Sequence, residues 1–345
     1  MVKTIRMEDV PLKEHRVMTH PPSFQHAAAS LPIDQGSCGA CFAIASVQCI
    51  QDRVPSATPL LSYQHVADCS NNCVTYKGML GCSSDCMGGF LASSFEFARV
   101  RGILPVTEYP IKSSSKRMHI FGGTTHRTQC DRIETRGPRY SVQGFYRVTT
   151  DPRLFGMVNA KQPIVTLTEQ EHAQNCNNIK QEIYMHGPVA ACLNLYSDFI
   201  DFVLNKEQGV YKVGYQLGKR HNVPPEGKTS WTKWSGPEGL HYKMGHAVSI
   251  IGWGEHTDGT PYWLVRNSWG RGKGDYVKIW RGVNCSGIES DVEAPFIDPT
   301  SMMMTTIPTV VTSARPRPPL QEWATSVGML LVLMVLVAAA AQRYR

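Results

Sequence analysis

The hydrophobic positions change their period along the chain. From Ala40 to Arg53 apolar residues recur at helical spacing and the run stops before Pro55; Phe90 to Val100 repeats the pattern and ends near Gly102. The spacing predicts a helix over each stretch, and a third over Asn178 to His186, closed by Gly187-Pro188. Later the period shortens. His246 to Trp253 is apolar and ends at Gly252-Trp253-Gly254. Tyr262 to Asn267 follows a turn at Asp258-Gly259-Thr260-Pro261, and Tyr276 to Trp280 alternates, so three strands are predicted. Helices early and strands late predict an α+β protein with two unlike halves. A length of 345 residues suffices for one two-lobed domain or for two domains.

The flanks have a different composition. Residues 1–22 form a short polar leader without the apolar run of a secretory signal. Residues 23–297 read as the globular part, and residues 298–322, rich in Pro, Thr, Ser and Met, suit an extended stalk. Ala324 to Ala341 is 18 residues without charge or proline. As a helix that stretch would rise about 27 Å, close to the hydrocarbon thickness of a bilayer. With Trp323 at one edge and Arg343, Tyr344 and Arg345 at the other, residues 323–345 are expected to form a C-terminal transmembrane anchor.

Charge and cysteine content narrow the classes. Lys and Arg number 35 against 28 Asp and Glu, and no long basic run occurs, which argues against a nucleic-acid partner. The 11 cysteines are unusual for a reducing compartment. Their number is odd, so one free nucleophile would leave ten for up to five bridges. Read alone, Cys69, Cys73, Cys82 and Cys86 have a spacing that suits a four-thiolate zinc site.

The candidate chemistry centres on Cys41. It sits where the glycine-bearing stretch Gln35-Gly36-Ser37-Cys38-Gly39-Ala40 opens into a predicted helix. Orphan N–H groups and the positive dipole end there favour a thiolate. Gln35 is placed to aim a side-chain N–H at an oxyanion. A thiol nucleophile needs an imidazole, and the imidazole needs an orienting group. His246 heads an apolar strand, and Asn267 follows a strand and precedes Ser268-Trp269-Gly270. The asparagine carbonyl can fix the imidazole tautomer, and Trp269 can shield that bond from water.

With these residues in the order Cys, His, Asn, the chain resembles the papain-like cysteine peptidases, most closely their cathepsin B branch. The resemblance rests on Gln35 to Phe42, Leu61-Ser62-Tyr63-Gln64 with Ala67-Asp68-Cys69, and Cys86-Met87-Gly88-Gly89-Phe90. It continues through Glu182 to Val189, Tyr196 to Phe199, Gly245 to Gly254, Gly259 to Gly270, and Arg281-Gly282 with Gly287 to Ser290. It implies a papain-like two-lobed α+β fold, with a helical N-terminal lobe, a β-barrel-like C-terminal lobe and the active-site cleft between them. It also implies a cysteine-type endopeptidase acting on peptides or proteins without metal or cofactor, and we expect a monomer. Cys41 is then the nucleophile, His246 its proton partner, Asn267 the orienter, and Gln35 with the Cys41 N–H the oxyanion hole. Gly88, Gly89, Trp269 and Asp291 fall to substrate binding. Asp291 stands where cathepsin B-like enzymes carry an acid in the pocket for the second residue before the scissile bond, so some acceptance of Arg or Lys is expected. The resemblance implies disulfides Cys38–Cys86, Cys69–Cys130 and Cys73–Cys82 in place of zinc.

The chain departs from this pattern at several points. Phe42 stands where tryptophan is usual after the nucleophile. Between Ile111 and Val142, where the branch carries adjacent histidines for exopeptidase action, His119 and His126 are separated and seven Lys or Arg face only Asp131 and Glu134. Endopeptidase action is therefore favoured. A second insertion, Val213 to Lys243, with Trp231 and Trp234, suggests a flap near the cleft. The alternative function is a catalytically silent membrane protein that binds peptides or a host partner through the same cleft. A tail anchor facing the cytosol conflicts with the cysteine content. A protein of a large DNA virus, mounted on a virion or host membrane, would reconcile the two.

Overall fold

The computed structural model describes residues 3–27, 29–76, 79–111, 130, 137–149, 168–205, 209–212, 242–270 and 274–298. The separated histidines, the Trp231/Trp234 insertion, most of the stalk and the anchor segment lie outside these residues.

Helix α1 (Cys41–Gln51) is the axis of the molecule. Every residue from Phe42 to Ile50 is buried, Ser46 and Gln48 included, so the helix has protein on every side. On one side it packs against α2 (Tyr63–Cys69) and α3 (Leu91–Val100). On the other it packs against β6 (Val189–Tyr196), β7 (Tyr242–Glu255) and β10 (Val292–Phe296). The predicted helices over Ala40–Arg53 and Phe90–Val100 thus form with slightly tighter limits. The helix predicted over Asn178–His186 is α4 (Glu169–His186), nine residues longer at its start. Thr168 caps it, accepting from Glu171 N–H while the Glu171 carboxylate accepts from the Thr168 N–H.

The later half is a seven-stranded sheet. Its main path runs β5 (Gly144–Arg147), β10, β6, β7, β8 (Pro261–Arg266), β9 (Tyr276–Trp280), and β2 (Phe24–Gln25) adds to β7. The three predicted strands are β7, β8 and β9. Among the described residues this sheet is open, which corrects the barrel-like expectation: its edge strands β5 and β9 do not pair. A smaller sheet joins β1 (Thr4–Arg6) in parallel to β3 (Cys73–Tyr76), which pairs with β4 (Met79–Cys82). A short helix, α5 (Ser197–Leu204), follows β6. Two apolar clusters flank the large sheet. One holds Val248, Ile250, Trp253, Trp263 and Val265. The other wraps α1 with Val66, Phe95, Ile103, Ala190 and Ala247.

Buried charges lock α1 to the sheet. Asp52, just past its end, meets Arg266 of β8 at 2.8 Å. Arg53 meets Glu182 of α4 at 2.8 Å and also donates to the Gly187 and Pro188 carbonyls. Glu182 further receives Lys13 and His15 at 3.1 Å each and the Tyr146 hydroxyl at 2.7 Å. Three disulfides close, Cys38–Cys86, Cys69–Cys130 and Cys73–Cys82, so the four cysteines with zinc-like spacing are all bridged. Cys41, Cys49, Cys176, Cys192 and Cys285 are free thiols. No described helix is long and apolar enough to cross a membrane. The longest, α4, carries Glu169, Glu171, Lys180 and Glu182.

Candidate active site

The N-terminus of α1 and the middle of β7 meet at one point. Ala40 caps α1 without any side-chain hydrogen bond, so the first-turn N–H groups are not consumed by a cap. Two of them, those of Cys41 and Phe42, serve the Cys41 sulfur, and a third donor is the Ala247 N–H from β7. Cys38, three residues upstream, is bridged to Cys86, and Gly39 N–H donates to the Cys86 carbonyl at 2.9 Å. A Cβ on Gly39 would lie 2.6 Å from that oxygen, so only glycine lets the two loops touch.

His246 precedes Ala247 and is 4% exposed. Its Nε2 lies 2.8 Å from Asn267 Oδ1, which also accepts the Ser268 N–H at 2.9 Å. That oxygen can only accept, so the imidazole carries its proton on Nε2 and keeps Nδ1 for the thiol. Trp269 lies over the pair, 5.2 Å from the imidazole centroid and tilted by 33°, and is itself held edge-on by Phe199. Gln35 is clamped at both ends of its amide: Nε2 donates to the Cys38 carbonyl at 2.9 Å, and Oε1 accepts from Ser268 Oγ. One Nε2 hydrogen remains for a substrate.

Burial opposes both charges of a thiolate–imidazolium pair. It pushes the Cys41 thiol above its ordinary value, against the pull of the three N–H donors. It pushes His246 down to about 4, against the Asn267 hydrogen bond. Burial thus works against the expected thiolate, while the helix end and the three donors work for it. The donors stand ready for the charge that forms when the proton moves.

The residues assigned to substrate binding separate. Gly88 has φ +108° and open space where a Cβ would point, so it bounds a free surface. A Cβ on Gly89 would come within 2.6 Å of the Phe42 ring, so Gly89 serves packing, and Phe42 is a buried core residue. Asp291 is buried, and its carbonyl accepts from Cys192 N–H of β6 at 3.0 Å. Sequence reasoning missed Ser268, whose hydroxyl aims Gln35, although it lies beside Asn267 in the chain. It also missed the Ala247 N–H, a backbone group with no sequence signature.

A helix-borne thiol, a strand-borne imidazole and an asparagine brace define the class as a cysteine-type peptidase, a hydrolase. The chain belongs to the papain family of cysteine proteases: the family described as "Papain family cysteine protease" matches residues 25–225 and 232–296. It is 29% identical to a gut-specific cysteine proteinase of Caenorhabditis elegans, over 76% of this chain and 67% of that protein. It is 28% identical to cathepsin B-like protease 1 of Arabidopsis thaliana, over 75% of this chain and 56% of that protein. The chain thus spans about two thirds of the first relative's length and just over half of the second's. The solved proCathepsin B S9 from Trypanosoma congolense shares the fold at TM-score 0.57 and 20% identity, over 84% of this chain and 83% of that one.

The localisation expectation is corrected here. No described helix is fit to span a membrane, and the relatives are named as a gut-specific cysteine proteinase and a cathepsin B-like protease. The single-pass anchor, and the virion or host membrane it was to serve, are withdrawn.

Proposed function

We propose that this chain is an endopeptidase working through an acyl-enzyme on Cys41. The carrying observation is that Ala247 N–H reaches the Cys41 sulfur while the adjacent His246 is braced by Asn267 at 2.8 Å. Cys41 attacks the peptide carbonyl as its proton passes to His246 Nδ1. The Cys41 N–H and the remaining Gln35 N–H hold the oxyanion. His246 then gives the proton to the leaving amine, the acyl group stays on sulfur, and water activated by His246 releases it. Asn267 holds the ring in one tautomer throughout, and Trp269 keeps water off that bond. Gly88 lines the extended-peptide site and Asp291 favours Arg or Lys at the second position before the scissile bond. The catalytic unit is residues 23–297, acting as a monomer.

A second reading, a silent peptide-binding protein, draws on the burial that opposes both charges. Hydrolysis of internally quenched peptides decides between them. The expected result is internal cleavage by the full chain and none by Cys41→Ser. Equal background in both would sink the enzymatic reading. Light scattering on the eluting protein checks the monomer.

A further inference from the structure

A second thiol lies beside Cys41. On β6, Ala191, Leu193 and Leu195 belong to one apolar cluster, and Ala190 turns the other way, into the cluster around α1. Cys192 keeps the period of Ala190 and packs on that second cluster, as Cys41 does, and Ala247 of β7 is part of it. Cys192 lies directly opposite Ala247 in the β6–β7 ladder, and the Ala247 N–H is one of the donors to the Cys41 sulfur. Cross-strand partners have Cβ atoms about 5 Å apart, so the two thiols share one neighbour on one face. They are close enough that charge on Cys41 opposes charge on Cys192. Both are partly exposed, whereas Cys49 and Cys285 are buried.

The two thiols differ in what surrounds them. Three N–H donors meet the Cys41 sulfur and favour, against burial, the thiolate that an oxidant attacks. The Cys192 thiol donates to the Asp291 carboxylate, and burial with the charges of Asp291 and Glu293 pushes it well above the ordinary thiol range. Cys192 therefore keeps its proton and is the less oxidisable of the two. Three closed disulfides suit an oxidising compartment, where a reactive thiol is exposed to oxidants. We propose that Cys192 is a resolving thiol for Cys41, and that a peroxide switches the enzyme off reversibly through a Cys41–Cys192 disulfide. Hydrogen peroxide passes one oxygen atom to the Cys41 sulfur, which becomes a sulfenic acid, and the rest of the peroxide leaves as water. The Cys192 sulfur then attacks the Cys41 sulfur while Asp291 takes the Cys192 proton. The S–S bond forms, the S–O bond breaks, and the departing hydroxide takes that proton from Asp291 as a second water. The bond needs Cβ atoms about 4 Å apart, so both side chains rotate and the start of α1 shifts toward β6. A dithiol reductant returns both thiols. The loss of activity rests on the endopeptidase reading, but the disulfide does not.

The test is non-reducing peptide mapping of the full chain after a sustained excess of hydrogen peroxide. A second portion is then reduced with dithiothreitol and alkylated with iodoacetamide, which reports free Cys41 without any need for catalysis. The expected result is a peptide pair joined through Cys41 and Cys192, with Cys41 alkylation restored by the reductant. Cys192→Ser and Cys192→Ala, each compared with its own untreated sample, should carry Cys41 as sulfinic or sulfonic acid and recover roughly tenfold less alkylation. A Cys41 that resists peroxide, one oxidised without a joined pair, or one joined to another cysteine overturns the proposal. So does full recovery in both Cys192 variants. A joined pair in a chain that never cuts the quenched peptides would count against catalysis alone.

Discussion

The two ends of α1 treat charge in opposite ways. At its C-terminal end, Asp52 and Arg53 are buried and each is met by a full charge, Arg266 and Glu182. At its N-terminal end the Cys41 sulfur is met by N–H dipoles, and burial pushes its thiol up. The difference separates fixing from reacting. A full ion pair is satisfied at rest and holds the helix against the sheet. Dipoles without a charge to serve are satisfied only when the thiol gives up its proton.

The largest effect should come from breaking the reactive end. Cys41→Ala is expected to lower kcat/KM by roughly 10⁴-fold or more, because it removes the sulfur that the three N–H donors serve. Urea unfolding of the same variant should stay near that of the parent, since no ion pair is lost.

The fixing end should answer in the opposite sense. Glu182→Gln strands Arg53 in a buried site and should cost about 3–5 kcal/mol in urea unfolding. Burial alone would raise the Glu182 carboxyl, but Arg53, His15 and Lys13 outweigh it and hold it well below the usual carboxylate range. A depressed folded pKa means stability that is present above the unfolded value near 4.3 and lost as pH falls beneath it. Acid unfolding of Glu182→Gln should lack that contribution.

His246 sharpens the contrast within one pH range. Its folded pKa of about 4 lies below the unfolded 6.5, so the unfolded chain binds more protons between them and stability falls as pH drops through that window. The contribution is on the order of 3 kcal/mol. Replacing His246 with Gln should flatten the slope of stability against pH between 6.5 and 4, leaving the share of His65, which burial lowers to about 3.

The smallest effects separate two neighbouring glycines. Gly89→Ala drives a methyl into the Phe42 ring and should cost about 1–3 kcal/mol of stability. Gly88→Ala meets open space but a φ of +108° that alanine rarely adopts, so backbone strain should cost about 1–3 kcal/mol without any clash, and steady-state kinetics on the same peptides should show a raised KM as well.

Much of this arrangement was legible in the chain because its signals are local. Cys41, His246 and Asn267 each carry recognisable flanks, and the period changes located α1, α3, β7, β8 and β9. The N-terminal extension of α4 was legible too, through Thr168 and Glu171, but its polar first turns lack an apolar stripe. The locks were not legible. Arg53 and Glu182 are 129 residues apart, and neither has a local pattern that names its partner. The strand β1 is three residues long and exists only through its pairing with β3. The upward push on the Cys41 thiol depends on how deeply the start of α1 is buried, which no motif encodes.

The most direct measurement is peptide mapping after labelling the native chain with a thiol-reactive peptidyl epoxide. A single adduct on Cys41 is expected, slowed strongly by His246→Ala, with Cys49, Cys176, Cys192 and Cys285 unmodified. An adduct on Cys192 in place of Cys41, or labelling of Cys41 at the same rate without His246, would contradict it.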